Sequence, residues 1–199
     1  MYIKSDYKKF ISNMQNGDYD YCIIDPPWDY NDKSPSVLDN QLTYELWKND
    51  ELRFVFENLK VNYIFMWVTN SMIEEVFKYY QPSEFVYKTL ITWVKLTDND
   101  NLFYGLGNTV RNSTEQLMIF ARKDAPTLRL NDRTIILGRA GKRTAKPIQY
   151  ESELTSELTE KGLKGVYIFS GCDKKFIDCV DIVDLPEEEV VTWKESLWA

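Results

Sequence analysis

Six short apolar runs recur along this chain, and segments with helical spacing separate several of them. The runs are rich in β-branched and aromatic residues and end at breaking or polar residues, which is typical of buried strands. The runs lie at 19–25, 61–69, 85–95, 114–122, 133–138 and 163–171, and helical spacing covers 43–59, 71–80 and 146–162. Strands that alternate with helices indicate βαβ units. The predicted fold class is therefore α/β, a doubly wound, mostly parallel sheet with helices on both faces.

The length and the charge distribution limit the domain organisation. A chain of 199 residues predicts a single domain over 1–199. The segment 173–199 holds eight Asp or Glu against three Lys and follows no clear pattern. The segment 121–146 holds eight Lys or Arg against two Asp, although the whole chain carries a net charge of −7. The net negative charge argues against a surface coated for non-specific nucleic-acid binding, but it is compatible with a local positive strip at 121–146.

The chain has no histidine, which narrows its chemistry. Ser-His-Asp and Cys-His catalysis and imidazole metal sites are excluded, so carboxylates become the candidate polar catalysts and no metal is expected. Three cysteines give neither a disulfide framework nor zinc spacing. No apolar run has the length of a membrane span, and the N-terminus is too polar for a signal peptide. We therefore expect an intracellular, cytoplasmic protein without a membrane partner.

The stretch YCIIDPPWDY, at 21–30, places a carboxylate directly after an apolar strand. Pro26 and Pro27 stiffen the backbone that follows, so Asp25 and Trp28 are expected at the carboxyl end of a strand. Open α/β sheets bind their ligands at that edge. Trp28 is either a stacking surface for a base or a core tryptophan beside a turn.

The motif DPPW resembles the catalytic motif of the MT-A70 family of S-adenosylmethionine-dependent adenine N6-methyltransferases. Further stretches resemble the family in the same order along the chain, from about Tyr19 to Gly171. They are IFMWVTNSMIEEVFKYY, YGLGNTVRNSTEQLMIFARK, RTAKPIQYESELTSEL and GVYIFSG. The resemblance implies a Rossmann-like methyltransferase fold in which the catalytic strand precedes the cofactor strand.

The resemblance also implies roles for individual residues. Catalysis is assigned to Asp25, Pro26, Pro27 and Trp28, with the Asp25 carboxylate and the Pro26 carbonyl accepting from the target amine. The cofactor S-adenosyl-L-methionine is assigned to Asp6, Ile24, Asp25, Asn112, Lys146, Ser170, Gly171 and Cys172. The target is assigned to Arg111 and Glu115, which match polar positions of the family. Apart from the resemblance, Tyr30 opens the loop after DPPW and either closes over the target base or is a surface aromatic, and the positive strip adds Arg139, Lys142 and Arg143 as phosphate contacts. Glu115 has a second interpretation, a salt bridge to Arg111 or to another basic loop residue.

The chain departs from the family after its last apolar run. Family members carry a Gly-Asn-Glu or Gly-Asn-Gln run that grips the cofactor ribose, and FIDCVDIVDLP stands in its place here. Asp178 or Asp181 is a candidate substitute, because carboxylates commonly bind ribose hydroxyls.

The leading functional hypothesis is methyl transfer to the N6 amine of adenine in DNA, by a bacterial or phage-type enzyme. The alternatives are the same reaction on RNA and a non-catalytic, nucleic-acid-binding partner subunit of an adenine methyltransferase. The intact DPPW favours an enzyme, whereas the missing ribose-binding run favours a partner subunit. A homodimer or a partner subunit is expected, because the domain alone offers little surface for target recognition.

Overall fold

A computed structural model describes residues 4–28, 47, 49–80, 83–105, 107, 109–140, 146–168 and 180–183. Its strands are β1 Tyr21–Ile24, β2 Tyr63–Val68, β3 Phe85–Leu96, β4 Thr114–Arg122, β5 Ile135–Arg139, β6 Gly165–Ile168 and β7 Val180–Val183. Its described helices are α1 Lys4–Asn13, α2 Asn49–Asn58, α3 Ile73–Tyr80 and α4 Ile148–Glu160, with a 3₁₀ turn at Asn70–Met72 ahead of α3.

The strands form one seven-stranded sheet in the order β5-β3-β4-β2-β1-β6-β7. Neighbouring strands are parallel except where β4 pairs antiparallel with β2 and with β3. The mostly parallel sheet predicted from the sequence is confirmed. The reversal of β4 matters for the site, because the amino end of β4 lies beside the carboxyl end of β2, with Gln116 opposite Val68.

Helices cover both faces of the sheet, as predicted. On one face α1, α2 and α3 pack against the side chains of alternate strand residues, among them Cys22, Ile64 and Met118. On the other face α4 packs through Tyr150, Leu154 and Leu158. The central strand β2 is buried along its whole length, which explains its unbroken apolar sequence.

Helix α4, Ile148–Glu160, lies within the helical segment predicted at 146–162 and is two residues shorter at each end. Pro147 is the residue before the helix and has an extended backbone, so its fixed φ directs the chain into the first turn. Gly162 follows the last turn with a φ of +77°, a left-handed conformation that glycine adopts without strain. The Leu163 amide then donates to the Leu158 carbonyl at 3.0 Å and closes the helix end.

Two elements were not predicted, and one predicted helix is shorter than expected. No apolar run or helical spacing predicted α1 or β7, and β7 lies inside the acidic segment 173–199. The helix expected over 43–59 is observed from Asn49 to Asn58. Ahead of it, Trp47 forms a parallel bridge with Trp28, while 29–46 and residue 48 lie outside the described residues.

Candidate active site

Asp25 lies at the carboxyl edge of the sheet, as its position after an apolar strand predicted. It follows β1, and its amide donates to the Ile168 carbonyl at the end of β6 at 3.2 Å. The side chain is 11% exposed. The two prolines that follow stop the strand, and the Pro27 carbonyl accepts from the Trp47 amide at 2.7 Å. The carboxylate is thus held by a backbone that is fixed on both sides.

A line of four alternating charges runs away from Asp25. Lys146 Nζ lies 2.9 Å from Asp25 Oδ1 and 2.9 Å from Glu115 Oε1. The other oxygen of Glu115, Oε2, lies 2.9 Å from Lys95 Nζ. Lys146 and Glu115 are almost fully buried, at 5% and 6% exposed, whereas Lys95 is 21% exposed. Close ion pairs of this kind are required when charges are buried, because an unpaired charge would be far more costly.

The sheet topology explains how these side chains meet. Glu115 is the second residue of β4, and the antiparallel direction of β4 brings this end to the edge where β1 and β2 finish. Glu115 is opposite Trp93 of β3, and Lys95 follows two residues later on the same face. Lys146 comes just before Pro147 and α4, on the same side of the sheet.

The charge line shifts the pKa values of its members in different directions. Burial opposes the charge of Glu115, but Lys146 and Lys95 outweigh burial and lower the pKa of this carboxyl. Burial also opposes the charge of Lys146, but Asp25 and Glu115 outweigh it and raise the pKa of the ammonium. Burial raises the pKa of Asp25 to about 7, with Glu115 adding to the rise and Lys146 opposing it. Asp25 is therefore the member of the line that takes up a proton near neutral pH.

A second set of buried polar groups holds Trp67, whose ring contacts the Lys146 ammonium. The Lys146 ammonium lies 5.8 Å from the centre of the Trp67 ring, within range of a cation–π contact. Trp67 Nε1 donates to Glu151 Oε1 at 2.7 Å, and the Tyr167 hydroxyl donates to the same oxygen. Glu151 is only 1% exposed. Neither Glu151 nor Lys95 was predicted as a site residue, because a charged residue in a helix or strand usually faces solvent.

Trp28 lies in the core, which agrees with its interpretation as a core tryptophan beside a turn. It is 4% exposed, and its Nε1 donates to the Trp67 carbonyl at 3.2 Å. The indole therefore offers no open face for a base in this structure. Its ring and hydrogen bond instead tie the DPPW turn to the end of β2.

The observed partners of Lys146 and Glu115 also differ from the predicted ones. Lys146 was assigned to a cofactor carboxylate, and its observed partners are Asp25 and Glu115. Glu115 forms a salt bridge, as its second interpretation predicted, but its partners are Lys95 and Lys146 instead of Arg111. The exposed Arg111 guanidinium lies 4.8 Å from the centre of the Tyr104 ring.

The other predicted site residues are dispersed. Ile24 is buried at the end of β1, and Asn112 is exposed, exchanging backbone hydrogen bonds with Gly105. Arg139 is exposed and paired with Asp100 at 3.0 Å. Asp6 lies in α1, and only the backbone of this residue is described. The remaining predicted residues lie outside the described residues: Tyr30, Lys142, Arg143, Ser170, Gly171, Cys172, Asp178. Asp181 lies in β7, again described only by its backbone.

The described part of the chain has neither a metal-binding cluster nor a membrane-spanning helix. No group of three or more metal-binding side chains occurs among the residues that the structure describes. In the same residues, none of the helices combines the length and the apolar character needed to cross a bilayer.

Comparison with known proteins places the chain among methyltransferases. A sequence model of the MT-A70 family matches residues 19–170, most of the chain. Among solved structures, the crystal structure of M1.HpyAVI is similar with a TM-score of 0.59 and 15% sequence identity. The match covers 98% of this chain and 93% of that chain, so the two share a fold over nearly their whole lengths. The search of curated proteins found no match.

Proposed function

Because this chain belongs to the MT-A70 family, a family of methyltransferases, we propose that it methylates the N6 amine of adenine in DNA with S-adenosyl-L-methionine. The observation that carries the proposal is the buried Asp25 carboxylate at the carboxyl edge of the sheet, held at 2.9 Å by Lys146. A catalyst of this reaction needs a fixed hydrogen-bond acceptor in a site that excludes most water.

The proposed task of Asp25 is to orient the target amine. The N6 lone pair of adenine is delocalised into the ring, so the amine is a poor nucleophile. A carboxylate oxygen of Asp25 and the Pro26 carbonyl accept from its two N–H groups and direct the lone pair toward the methyl donor. Positioning of this kind lowers the barrier without requiring full proton abstraction beforehand. The new N–C bond would form as the bond between the methyl carbon and the donor sulfur breaks, with a thioether as the leaving group. The methylated amine then sheds a proton, and Asp25 is the acceptor whose pKa suits that step.

Lys146 controls the orientation of that carboxylate. Its ammonium binds Asp25 Oδ1, which leaves Oδ2 for the substrate. Since the ammonium keeps its charge, it also favours the ionised form of Asp25. The Pro-Pro backbone and Lys146 thus fix one acceptor oxygen from two directions.

The residues present are compatible with the proposed cofactor. An ammonium has three N–H donors, and the two carboxylates take two of those of Lys146. Among the described residues the third donor has no partner, which leaves it for a carboxylate of the methionine type, the role that the family resemblance implies for Lys146. Ile24 and Asp25 border the same edge, where open α/β sheets bind nucleotides. The cofactor supplies an activated methyl group on a sulfonium, and the protein supplies position and charge.

The test is methyl transfer from labelled S-adenosyl-L-methionine to adenine-containing DNA and RNA oligonucleotides, with wild type and Asp25→Asn compared. We expect label on the N6 position in DNA and a loss of at least ~100-fold in Asp25→Asn, since one preorganised polar group commonly contributes that much. The matched control is Asp124→Asn, which removes an exposed carboxylate and should leave the rate unchanged.

The same assay separates the alternative functions. Label in RNA alone would indicate the same methyl-transfer reaction with RNA instead of DNA as the substrate. A chain that binds the cofactor, as measured by calorimetry, but labels neither polymer would contradict the proposal and favour a non-catalytic partner subunit. Asp25→Asn with wild-type activity would show that Asp25 is not the group that positions the amine.

A further inference from the structure

Lys95 is the outermost member of the charge line, and neither its position nor its sequence context marks it as a site residue. It is the next-to-last residue of β3, and its Nζ lies 2.9 Å from Glu115 Oε2. The same ammonium lies 4.8 Å from the centre of the Trp93 ring, which fixes it over the face of the sheet that carries Glu115. Its link to Asp25 runs through two further ion pairs, Glu115 to Lys146 and Lys146 to Asp25.

The balance between positive and negative charges in the line depends on Lys95. With Lys95 in place, two ammonium groups balance two carboxylates, and each oxygen of Glu115 has its own lysine. Without Lys95, Asp25 and Glu115 would compete for Lys146 alone. A buried group of three charges with a net negative charge is unstable, so it would take up a proton or draw Lys146 toward Glu115.

We propose that Lys95 is a positioning residue for methyl transfer, because its ion pair with Glu115 leaves Lys146 free to orient Asp25 and to keep it ionised. This inference rests on the proposed function. Lys95 itself touches none of the reacting atoms in that scheme. Its effect reaches Asp25 only through Glu115 and Lys146.

The groups that face Asp25 come from two parts of the chain. Glu151 approaches from α4, Lys146 lies two residues before the start of α4, and Glu115 approaches from β4. Of these, Lys146 favours the ionised form of Asp25, whereas both glutamates oppose it. Loss of Lys95 leaves Lys146 as the one lysine shared by Glu115 and Asp25, so the negative charge of Glu115 favours the protonated form of Asp25 further.

The experiment replaces Lys95 by Met, which keeps the length of the side chain without its charge, and by Arg, which keeps the charge. The carboxyl carbons of Asp residues are labelled with ¹³C, and the Asp25 signal is identified by its absence in Asp25→Asn. Titration by NMR should give a pKa of Asp25 that is raised by ~1 pH unit in Lys95→Met, the scale expected for a nearby charge. The acidic limb of the methyl-transfer pH profile should move by the same amount, and Lys95→Arg should restore both.

The matched control is Lys78→Met. Lys78 also pairs with two carboxylates, Glu74 and Glu75 at 3.0 and 2.9 Å, but on α3, away from the charge line. It should change neither readout. An unchanged Asp25 titration in folded Lys95→Met would overturn the inference, and Lys95→Gln replaces that variant if it does not fold.

The two readouts also separate this inference from the proposed function. A shifted Asp25 titration in a chain whose wild type transfers no methyl group would contradict the proposed function and leave the coupling intact. Active wild type with identical pH profiles in Lys95→Met and Lys95→Arg would contradict the role of Lys95 alone.

Discussion

Asp25 and Glu115 face the same lysine, yet they differ in how readily they take up a proton. Glu115 has a lysine at each oxygen, and the two cations lower its pKa in spite of burial. Asp25 shares its single lysine, so burial prevails and raises the pKa to about 7. Two carboxylates with separated pKa values take different roles in a site. Glu115 is the permanent counter-charge, and Asp25 is the group that exchanges a proton near neutral pH.

This difference predicts how stability depends on pH. Folded Asp25 holds a proton between its ordinary pKa of 3.8 and about 7, whereas the unfolded chain has lost it. Unfolding therefore releases a proton, and the contribution of Asp25 to the free energy of unfolding falls as the pH rises through that window. Asp25→Asn cannot titrate. Relative to that of wild type, its free energy of unfolding should rise by ~3 kcal/mol between pH 4.5 and 7.5, since one unit of pKa shift corresponds to about 1.4 kcal/mol.

Urea unfolding of both proteins at several pH values measures this difference. Asp124→Asn, which alters an exposed carboxylate, should run parallel to wild type. A constant difference between Asp25→Asn and wild type over the whole range would show that Asp25 is ionised throughout.

Strand β4 determines which side chains meet at the site, and it also marks the limit of what the sequence predicts. Its bounds, 114–122, follow from the apolar run, and DPPW places Asp25 at a strand end because prolines stop a strand. The contact between Glu115 and Lys146 depends on β4 being inserted antiparallel beside β2, and local pattern does not encode strand neighbours. Strand β7 was missed because this short strand lies in an acidic segment, and among the described strands it pairs only with β6.

The end of helix α4 offers a test at the level of one element. Gly162 has a φ of +77°, and an added Cβ would meet nothing within 4 Å, so conformational strain is the only cost of a side chain. Gly162→Ala should lower the free energy of unfolding by ~1 kcal/mol, the usual penalty for a non-glycine residue in this conformation. Gly162→Asn should cost less, because Asn tolerates the left-handed region.

Thermal and urea unfolding of the two variants provide the measurement. Because Lys146 lies at the opposite end of α4, the pH profile of methyl transfer should be the same in both. Equal stability of Gly162→Ala and wild type would mean that the helix end relaxes without cost.

The whole molecule is acidic, which constrains how it meets a polyanion. The positive strip 121–146 contains eight Lys or Arg, but several of those that the structure describes are already paired with carboxylates. Arg122, Lys123 and Arg139 pair with carboxylates at 3.5, 4.0 and 3.0 Å, and Lys146 is buried in the charge line. A net charge of −7 adds long-range repulsion. Target binding should therefore depend on a few local contacts.

Salt dependence of DNA binding, measured by fluorescence anisotropy, tests this expectation. With few phosphate contacts, the slope of log K against log salt should be about −2 to −4, since each contact contributes about −0.9. Asp100→Asn should tighten binding by releasing Arg139, and it should not strain the backbone, because Asp100 has a φ of +58° that Asn also adopts. Asp98→Asn removes an equal charge from the same exposed loop and should have a smaller effect. A slope near −8 would instead require a broad basic surface that the described residues do not form.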